Sequence, residues 1–220
     1  VTAVDPGPDL VLAGKAGTPT GLFGRRPSGD SSYARKLKAE IQEDPGTGGI
    51  HTERTGGELL VYNVKNQEGS LGLPYQLKGR ARLPYSEVYG VARSGQLALV
   101  ANGPGGVIAF NLANPGAPYR TGFIKPNDRA RDVAVGGRYA FIAASHEGVV
   151  VADLSSPALP IVARLDTLGV ANRLHLQGDR LLVTSMAGGG QASRLNVVDI
   201  GDPHNPAMSK VVNLPSPRPD

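Results

Sequence analysis

Short apolar stretches separated by turn residues run along most of the chain. One of them, residues 149–160, reads as an apolar strand, then Asp153, then a turn closed by two prolines. Near-copies of this segment lie on both sides of it, and the first proline of the turn stands at 115, 157 and 203, which are 42 and 46 residues apart. A repeat of about 40–45 residues is typical of propeller blades. The pattern therefore predicts a repeat protein built of short strands.

Each copy is preceded and followed by further strand-like segments. Upstream of 149–160, the apolar run 133–137 leads through a glycine turn into 139–143. The closing segments of three repeats are Tyr119–Ile124, Ile161–Leu165 and Ala207–Leu214. Each unit thus holds four strands separated by Gly, Pro, Asn and Asp. Four antiparallel strands per repeat predict an all-β fold made of β-propeller blades.

The third repeat resembles the LVIVD-type repeat of bacterial and archaeal β-propellers. The shared residues are Val133-Ala134-Val135, then Tyr139-Ala140 with Ile142-Ala143, and then Gly148-Val149, Val151, Asp153-Leu154-Ser155, Pro157 and Pro160. The likeness extends over about three repeats and is weak in the first. It implies a propeller fold and a place on a surface or exported protein. It implies no shared catalytic residue.

The repeats divide nearly the whole chain into four blades. We predict propeller blades over 1–214, with blade 1 at 1–80, blade 2 at 86–124, blade 3 at 129–166 and blade 4 at 169–214, and a proline-rich tail at 215–220. Four blades of this repeat type rarely close a ring by themselves. We therefore expect further blades, from a longer parent chain or another subunit, to complete a larger ring.

An insertion at 15–57 interrupts blade 1 between its second and third strands. Loops longer than about 12–15 residues in compact domains are usually functional or disordered. Residues 33–42 predict a helix, because Tyr33, Leu37 and Ile41 fall on one face at i, i+4, i+8 spacing. Two interpretations stay open for the insertion. It is either an element that binds a partner or covers one face of the propeller, or a helix packed over the blade to fill space.

Composition limits the classes of partner. The net charge is +4, the pI is about 9.4, and 19% of residues are charged. A mild basic excess could favour anionic partners, although an ordinary solvated surface is the simpler explanation. The sequence contains no basic run with interleaved aromatic residues, which would indicate nucleic-acid binding. It also contains no apolar run of about 18 residues, which would indicate a membrane span. The chain has no cysteine, which excludes disulfides and thiolate metal sites. The resemblance to LVIVD-type propellers implies an extracellular, cell-surface or periplasmic location.

One rim of the predicted propeller gathers basic and aromatic residues. In a blade, the loops that lead to the next blade and the loops between the second and third strands lie at the same end. The candidate ligand-binding residues there are Arg25, Arg26, Tyr85, Tyr89, Lys125, Arg129, Arg131, His146 and Arg173. Guanidinium forks match carboxylate or phosphate groups, so this rim predicts an anionic ligand. The alternative is a structural role for these residues, with Arg131 and Asp132 pairing with each other.

Motifs for metal binding and catalysis are missing from the sequence. The four histidines are His51, His146, His175 and His204, and no two of them have the i, i+4 spacing of a helical metal site. The glycine-rich stretch 186–193 lacks the Lys-Ser/Thr of a phosphate-binding loop. No Gly-x-Ser-x-Gly motif occurs. The sequence therefore predicts no metal, no cofactor and no catalytic residue.

These observations favour a non-catalytic binding or scaffold module. Its rim and the 15–57 insertion would contact a protein, a glycan or an anionic ligand. One alternative is an enzyme whose active site in the channel mouth uses Arg131, Asp132, His146 and His175. Another alternative is a structural subunit of an envelope or filament assembly.

Overall fold

A computed structural model describes residues 3–6, 10–15, 56–64, 75–186 and 193–214. The helix expected at 33–42, the candidate residues Arg25 and Arg26, and the tail lie outside these residues. The described part contains the connections between all four blades and all of the remaining candidate residues.

The described residues form sixteen strands in four antiparallel sheets of four. Blade 1 contains β1 (Ala3–Pro6), β2 (Leu10–Lys15), β3 (Glu58–Val64) and β4 (Tyr75–Arg82). Blade 2 contains β5 (Gly90–Ser94), β6 (Leu97–Ala101), β7 (Val107–Asn111) and β8 (Tyr119–Ile124). Blade 3 contains β9 (Asp132–Gly136), β10 (Tyr139–Ala143), β11 (Val149–Asp153) and β12 (Ile161–Leu165), and blade 4 contains β13 (Val170–Gln177), β14 (Arg180–Met186), β15 (Ser193–Asp199) and β16 (Ala207–Asn213). The prediction of an all-β propeller with four-stranded blades is confirmed.

Apolar layers between neighbouring blades form the core. Alternate residues of a strand point to opposite faces of its sheet. In β10, Ile142 packs towards blade 2 beside Leu99, whereas Phe141 packs towards blade 4 beside Leu181. Blades 1 and 2 share a third cluster that includes Leu12 and Phe110. Because both faces of blades 2 and 3 are covered, their central strands are apolar at nearly every position rather than at every second one.

The four blades share a detail of backbone geometry. In each blade the register between the third and fourth strands shifts at one point, at 61/62, 109/110, 151/152 and 197/198. Such bulges bend a strand and increase its twist. The first strands β1, β5, β9 and β13 lie innermost, and each packs against the next along the chain.

Backbone pairs join blade 2 to blade 3, and blade 3 to blade 4, at the rim. We define the rim as the end carrying the blade-to-blade connections and the loops between second and third strands. Gly103 and Ala130 exchange N–H···O bonds of 3.1 and 3.0 Å. Ala171 N–H donates to Ser145 O at 2.8 Å in the same way, one blade further along. Gly103 and Ser145 both have positive φ, 52° and 55°. The rim loops are therefore held in register by the blades beneath them.

Candidate functional site

The structure places seven of the nine candidate residues on this rim. Tyr85 and Tyr89 precede β5, and Lys125, Arg129 and Arg131 lie between β8 and β9. His146 lies in the turn between β10 and β11, and Arg173 is in β13 near its start. The rim therefore gathers the side chains that the repeat pattern predicted for it. Their surroundings divide them into two groups.

The first group is held by partners within the rim. Arg129 Nη1 lies 2.9 Å from both carboxylate oxygens of Glu87. His146 Nδ1 lies 2.9 Å from Asp128 Oδ2, which also accepts the His146 backbone N–H at 3.1 Å. Lys125 Nζ donates to the backbone oxygen of Pro104. These three basic side chains join neighbouring loops.

The acidic partners on the rim were missed by the sequence reasoning. Glu147 is the most enclosed of the paired rim carboxylates, with its side chain 10% exposed. It accepts bonds from the backbone and side chain of Asn127 at 2.5 and 3.1 Å, and from Arg164 at 2.7 Å. One of these pairs could have been predicted from the sequence. Glu87 and Arg129 are 42 residues apart, which is the repeat spacing, so they occupy equivalent places in adjacent blades.

The ionisation of Asp128 reflects this pairing. Partial burial raises the pKa of its carboxyl, but the His146 side chain and the backbone N–H groups of Arg129 and His146 outweigh burial and lower the pKa to about 2. The Asp128–His146 pair therefore carries a firmly ionised carboxylate at neutral pH. His146 is tied to it at the outer part of the rim.

The second group, Tyr89, Arg131 and Arg173, forms what we call the channel mouth. Arg131 Cζ lies 6.0 Å from the ring centroid of Tyr89, and its Nε donates weakly to Ser145 Oγ at 3.4 Å. Arg173 Nη1 donates to the Tyr89 backbone oxygen at 2.7 Å. Within the described residues, neither arginine forms an ion pair with a carboxylate. Two guanidinium groups from adjacent blades thus meet at one tyrosine.

Asp132 is bound by backbone rather than by the arginines. Its oxygens accept the N–H groups of Val133 at 2.9 Å and Leu174 at 3.0 Å. Burial raises the pKa of this carboxyl, and the two backbone bonds and the nearby Arg173 charge oppose the rise without cancelling it. The pairing of Arg131 with Asp132 considered above is not found. Instead, Asp132 links β9 to β13 just below the channel mouth.

Glycine at position 90 makes the place for Asp132. A Cβ on Gly90 would lie 2.3 Å from Asp132 Oδ1, which is closer than real atoms approach. The missing side chain in blade 2 thus admits the carboxylate of blade 3. The Asp132 carboxylate therefore lies against Gly90, and Arg131 and Arg173 lie closer to the rim than it does.

Exposed apolar side chains also lie on the rim. Tyr85 is 46% exposed, Leu168 57% and Met186 51%. The sequence reasoning selected Tyr85 and missed Leu168 and Met186, because an apolar residue in a loop or at a strand end looks like part of the core. Together with the basic residues, they give the rim a mixed basic and apolar character.

Groups that would support catalysis are dispersed in the described residues. Of the residues considered for an active site, Asp132 binds backbone, His146 binds Asp128, and the His175 side chain makes no hydrogen bond within the described part of the chain. Within the described residues, no three His, Asp or Glu side chains lie close enough together to bind a metal ion. The described part of the chain contains no helix long and apolar enough to cross a bilayer.

Comparison with protein families finds one match. Residues 128–165 match the LVIVD repeat, a family found in β-propeller proteins. This is the blade on which the sequence resemblance rests, and that prediction is confirmed. No curated protein matches the chain.

Solved structures resemble the fold at low sequence identity. The β-propeller domain of Cps50 (Swd1) from Myceliophteria thermophila has a TM-score of 0.55 and 14% identity, over 74% of this chain and 51% of that one. Sqt1 from Chaetomium thermophilum, solved bound to the N-terminus of ribosomal protein L10, has a TM-score of 0.54 and 15% identity, over 72% and 43%. The computationally designed protein Ika4 has a TM-score of 0.54 and 10% identity, over 97% and 91%. This chain therefore spans about half, or less, of the two natural propellers, and the likeness is one of fold.

Proposed function

Because residues 128–165 form an LVIVD repeat within a β-propeller, we propose that this chain is a non-catalytic binding module that holds a protein partner on its rim. In this proposal Arg131 and Arg173 bind carboxylates of an acidic segment of that partner. The exposed side chains of Tyr85, Leu168 and Met186 contact apolar residues beside it. The location proposed for the module is extracellular, on the cell surface or in the periplasm.

The observation that carries this proposal is the contrast between the two groups of rim cations. Arg129, His146 and Lys125 are occupied by partners within the rim, whereas neither Arg131 nor Arg173 forms an ion pair with a carboxylate among the described residues, Arg173 having Asp132 only as a nearby charge. A guanidinium is a strong hydrogen-bond donor with a planar fork that suits a carboxylate. Two such groups that converge on Tyr89, and that form no ion pair within the described residues, are suited to an external carboxylate.

The Sqt1 propeller supports a polypeptide as the partner, since that protein was solved with the N-terminus of a ribosomal protein bound to it. The likeness to Sqt1 is of fold, so it supports the class of partner and not its identity. An acidic glycan would offer the same carboxylate chemistry. The test below separates these two partners.

The test uses a labelled oligo-glutamate peptide and measures binding by fluorescence anisotropy. Hydrogen bonds to charged groups contribute about 1.5–3 kcal/mol each, so Arg131→Gln and Arg173→Gln should each weaken binding by about tenfold or more. The matched control is Arg120→Gln, which removes the same charge from the exposed face of β8. Equal weakening in all three variants would reduce the effect to net charge and contradict the proposal.

Two further ligands define the partner class. An oligo-lysine peptide should not bind, because it repels the two arginines. If an oligouronide binds and oligo-glutamate does not, the partner is a glycan and the proposal of a protein partner is wrong. Circular dichroism and the thermal midpoint of each variant confirm that the fold is retained.

The 15–57 insertion is the second part of the proposed surface. Lys15 and Glu58 are directly paired at the ends of β2 and β3, so the insertion leaves and re-enters blade 1 at one point. Replacing 16–55 with a two-residue turn should therefore preserve the sheet and keep the backbone bonds of Gly57 with Leu83 and Tyr85. Loss of affinity for the physiological partner, with oligo-glutamate binding retained, would assign the insertion a separate contact. Unchanged partner affinity would remove it from the surface.

A further inference from the structure

A crevice lies between blades 2 and 3 at the end of the propeller opposite the rim. Its volume is about 340 Å³ and it opens to solvent. Leu97, Leu154 and Leu159 provide apolar lining, and Ser94, Gln96 and Thr121 provide hydroxyl and amide groups. The lining contains no charged side chain. We call this space the interblade crevice.

The corresponding space between blades 3 and 4 is filled by the chain itself. Tyr139 from blade 3 meets His204 from blade 4 edge to face, with ring centroids 5.6 Å apart. The Tyr139 hydroxyl lies 3.1 Å from His204 Nε2. Arg138 covers the Tyr139 ring at 5.2 Å and pairs with Asp153 at 2.6 Å. Two rings and an ion pair thus occupy that junction.

The repeat register identifies which residues replace this group between blades 2 and 3. Tyr139 pairs with Asp153 across the strands as Leu97 pairs with Asn111. Leu97 therefore stands in the place of Tyr139, and Asn111 in the place of Asp153.

The turns extend the correspondence to the other two positions. Leu112 N–H donates to Gln96 O, and Leu154 N–H donates to Arg138 O in the same way, so Gln96 replaces Arg138. Alignment of the turn prolines at 157 and 203 places Ala158 where blade 4 has His204. Both rings and both charges are absent from the junction of blades 2 and 3. This is the physical reason why the crevice is open there.

We propose that the interblade crevice binds the phenol ring of a tyrosine side chain from a partner polypeptide. Ligand pockets begin at about 300 Å³, so this crevice suits one small group. A phenol has an apolar body for Leu97 and Leu159 and a hydroxyl that needs a hydrogen-bond partner. The side chains of Ser94 and Gln96 make no hydrogen bond within the described residues and are available to it.

The filled junction shows the arrangement that a bound ring would reproduce. There the chain places its own tyrosine between two blades, with the hydroxyl directed to a polar side chain. This second site lies at the other end of the blades from the channel mouth. It depends on neither Arg131 nor Arg173.

The probe for this site is N-acetyl-tyrosinamide, followed by ¹H–¹⁵N NMR on the whole chain. Saturable shifts are expected at the backbone amides of Ser94, Leu97 and Leu159, with none at Tyr89 or Arg173. N-acetyl-leucinamide, which lacks the ring and the hydroxyl, should bind about tenfold more weakly. Absence of shifts at the crevice, or equal binding of both probes, would overturn the proposal.

Paired variants test the internal comparison. Leu97→Tyr with Ala158→His rebuilds the filled junction and should abolish binding of the probe. Tyr139→Leu with His204→Ala opens the junction of blades 3 and 4 and should create a second set of shifts around Gly136 and Gly201. Ala158 is exposed, so Ala158→His alone leaves the core intact and should still weaken binding about tenfold. Wild-type affinity in either Ala158→His variant would contradict the assignment.

Discussion

The side-chain amide of Asn102 pairs with the backbone of Tyr85 as one strand pairs with another. Asn102 Oδ1 accepts the Tyr85 N–H at 3.1 Å, and Asn102 Nδ2 donates to the Tyr85 oxygen at 2.8 Å. The same Nδ2 donates to the Glu87 oxygen at 2.5 Å. A fully buried side chain thus replaces a missing strand partner. It fixes the loop that carries Tyr89 into the channel mouth.

Asn102→Ala should destabilise the protein by about 2–3 kcal/mol, because the Tyr85 N–H and the Glu87 oxygen lose their partner and the Tyr85 oxygen keeps only the Gly57 N–H. Urea unfolding followed by circular dichroism measures the change in the free energy of unfolding. Asn205→Ala is the matched control, since Asn205 is exposed and its side chain makes no hydrogen bond within the described residues. The control should stay within about 0.5 kcal/mol of wild type. Similar changes in the free energy of unfolding for both variants would show that the Asn102 side chain does not stabilise this loop.

Gly90→Ala should destabilise by about 1–3 kcal/mol, because the new methyl group would overlap Asp132 in a packed channel. Gly122→Ala is the control, as its added Cβ would meet Leu159 Cδ1 at an ordinary 3.4 Å. Thermal unfolding compares the two variants. A midpoint for Gly90→Ala equal to that of the control would show that Asp132 moves aside without cost.

Asp128 should contribute to stability in a pH-dependent way. Its pKa is about 2 in the folded chain, below the ordinary value of 3.8, so folding favours the ionised form. This contribution is complete above pH 3.8 and is lost as the pH falls through about 2. Because the Asp128 side chain is 32% exposed, solvent screening limits it to about 1 kcal/mol or less.

Asp128→Asn should flatten the fall in stability between pH 4 and pH 2, measured by urea unfolding across that interval. Asp202→Asn provides the comparison, since the Asp202 carboxylate accepts only the His204 backbone N–H in an exposed turn. An unchanged acid profile in Asp128→Asn would show that the pair with His146 does not hold in solution.

Two leucines with left-handed backbone provide a pair of opposite effects. Leu168 has φ 51° and is 57% exposed, whereas Leu159 has φ 48° and is 6% exposed. Asparagine tolerates this conformation better than leucine does. Leu168→Asn should therefore stabilise by about 0.5–1 kcal/mol, because it relieves strain and loses little burial. Loss of stability in this variant would mean that Leu168 has contacts which its exposure does not reveal.

Leu159→Asn should destabilise by about 2 kcal/mol or more, since it removes an apolar side chain from the core between blades 2 and 3. The same substitution should thus change the free energy of unfolding in opposite directions at two positions of similar φ. Urea unfolding measures both. A stabilising Leu159→Asn would show that backbone strain outweighs burial there.

Much of the fold was predictable because the strands and their turns repeat along the sequence. The fourth strands of blades 2 and 3 were predicted with the bounds that the structure has, and that of blade 4 was predicted one residue too long. The turn prolines and glycines fix where a strand ends, and these are local properties. The gathering of Tyr89, Arg131 and Arg173 at one rim also followed from the order of strands within a blade.

The pairing of the rim residues could not be read in the same way. Asn102 and Tyr85 are 17 residues apart, and Arg173 and Tyr89 are 84 residues apart. Whether such residues meet depends on the angle and spacing between blades. The sequence therefore could not separate the basic rim residues that have internal partners from those at the channel mouth.

The repeat spacing in the sequence determined the four-stranded blades, their order and the end at which the loops collect, because turn-forming residues act locally. Only the tertiary structure decided which rim charges have internal partners and which remain available at the channel mouth. It also decided that Gly90 admits Asp132, and that a ring pair fills one junction while the next stays open. Each of these features joins side chains from different repeats, and their contact depends on how the sheets stack.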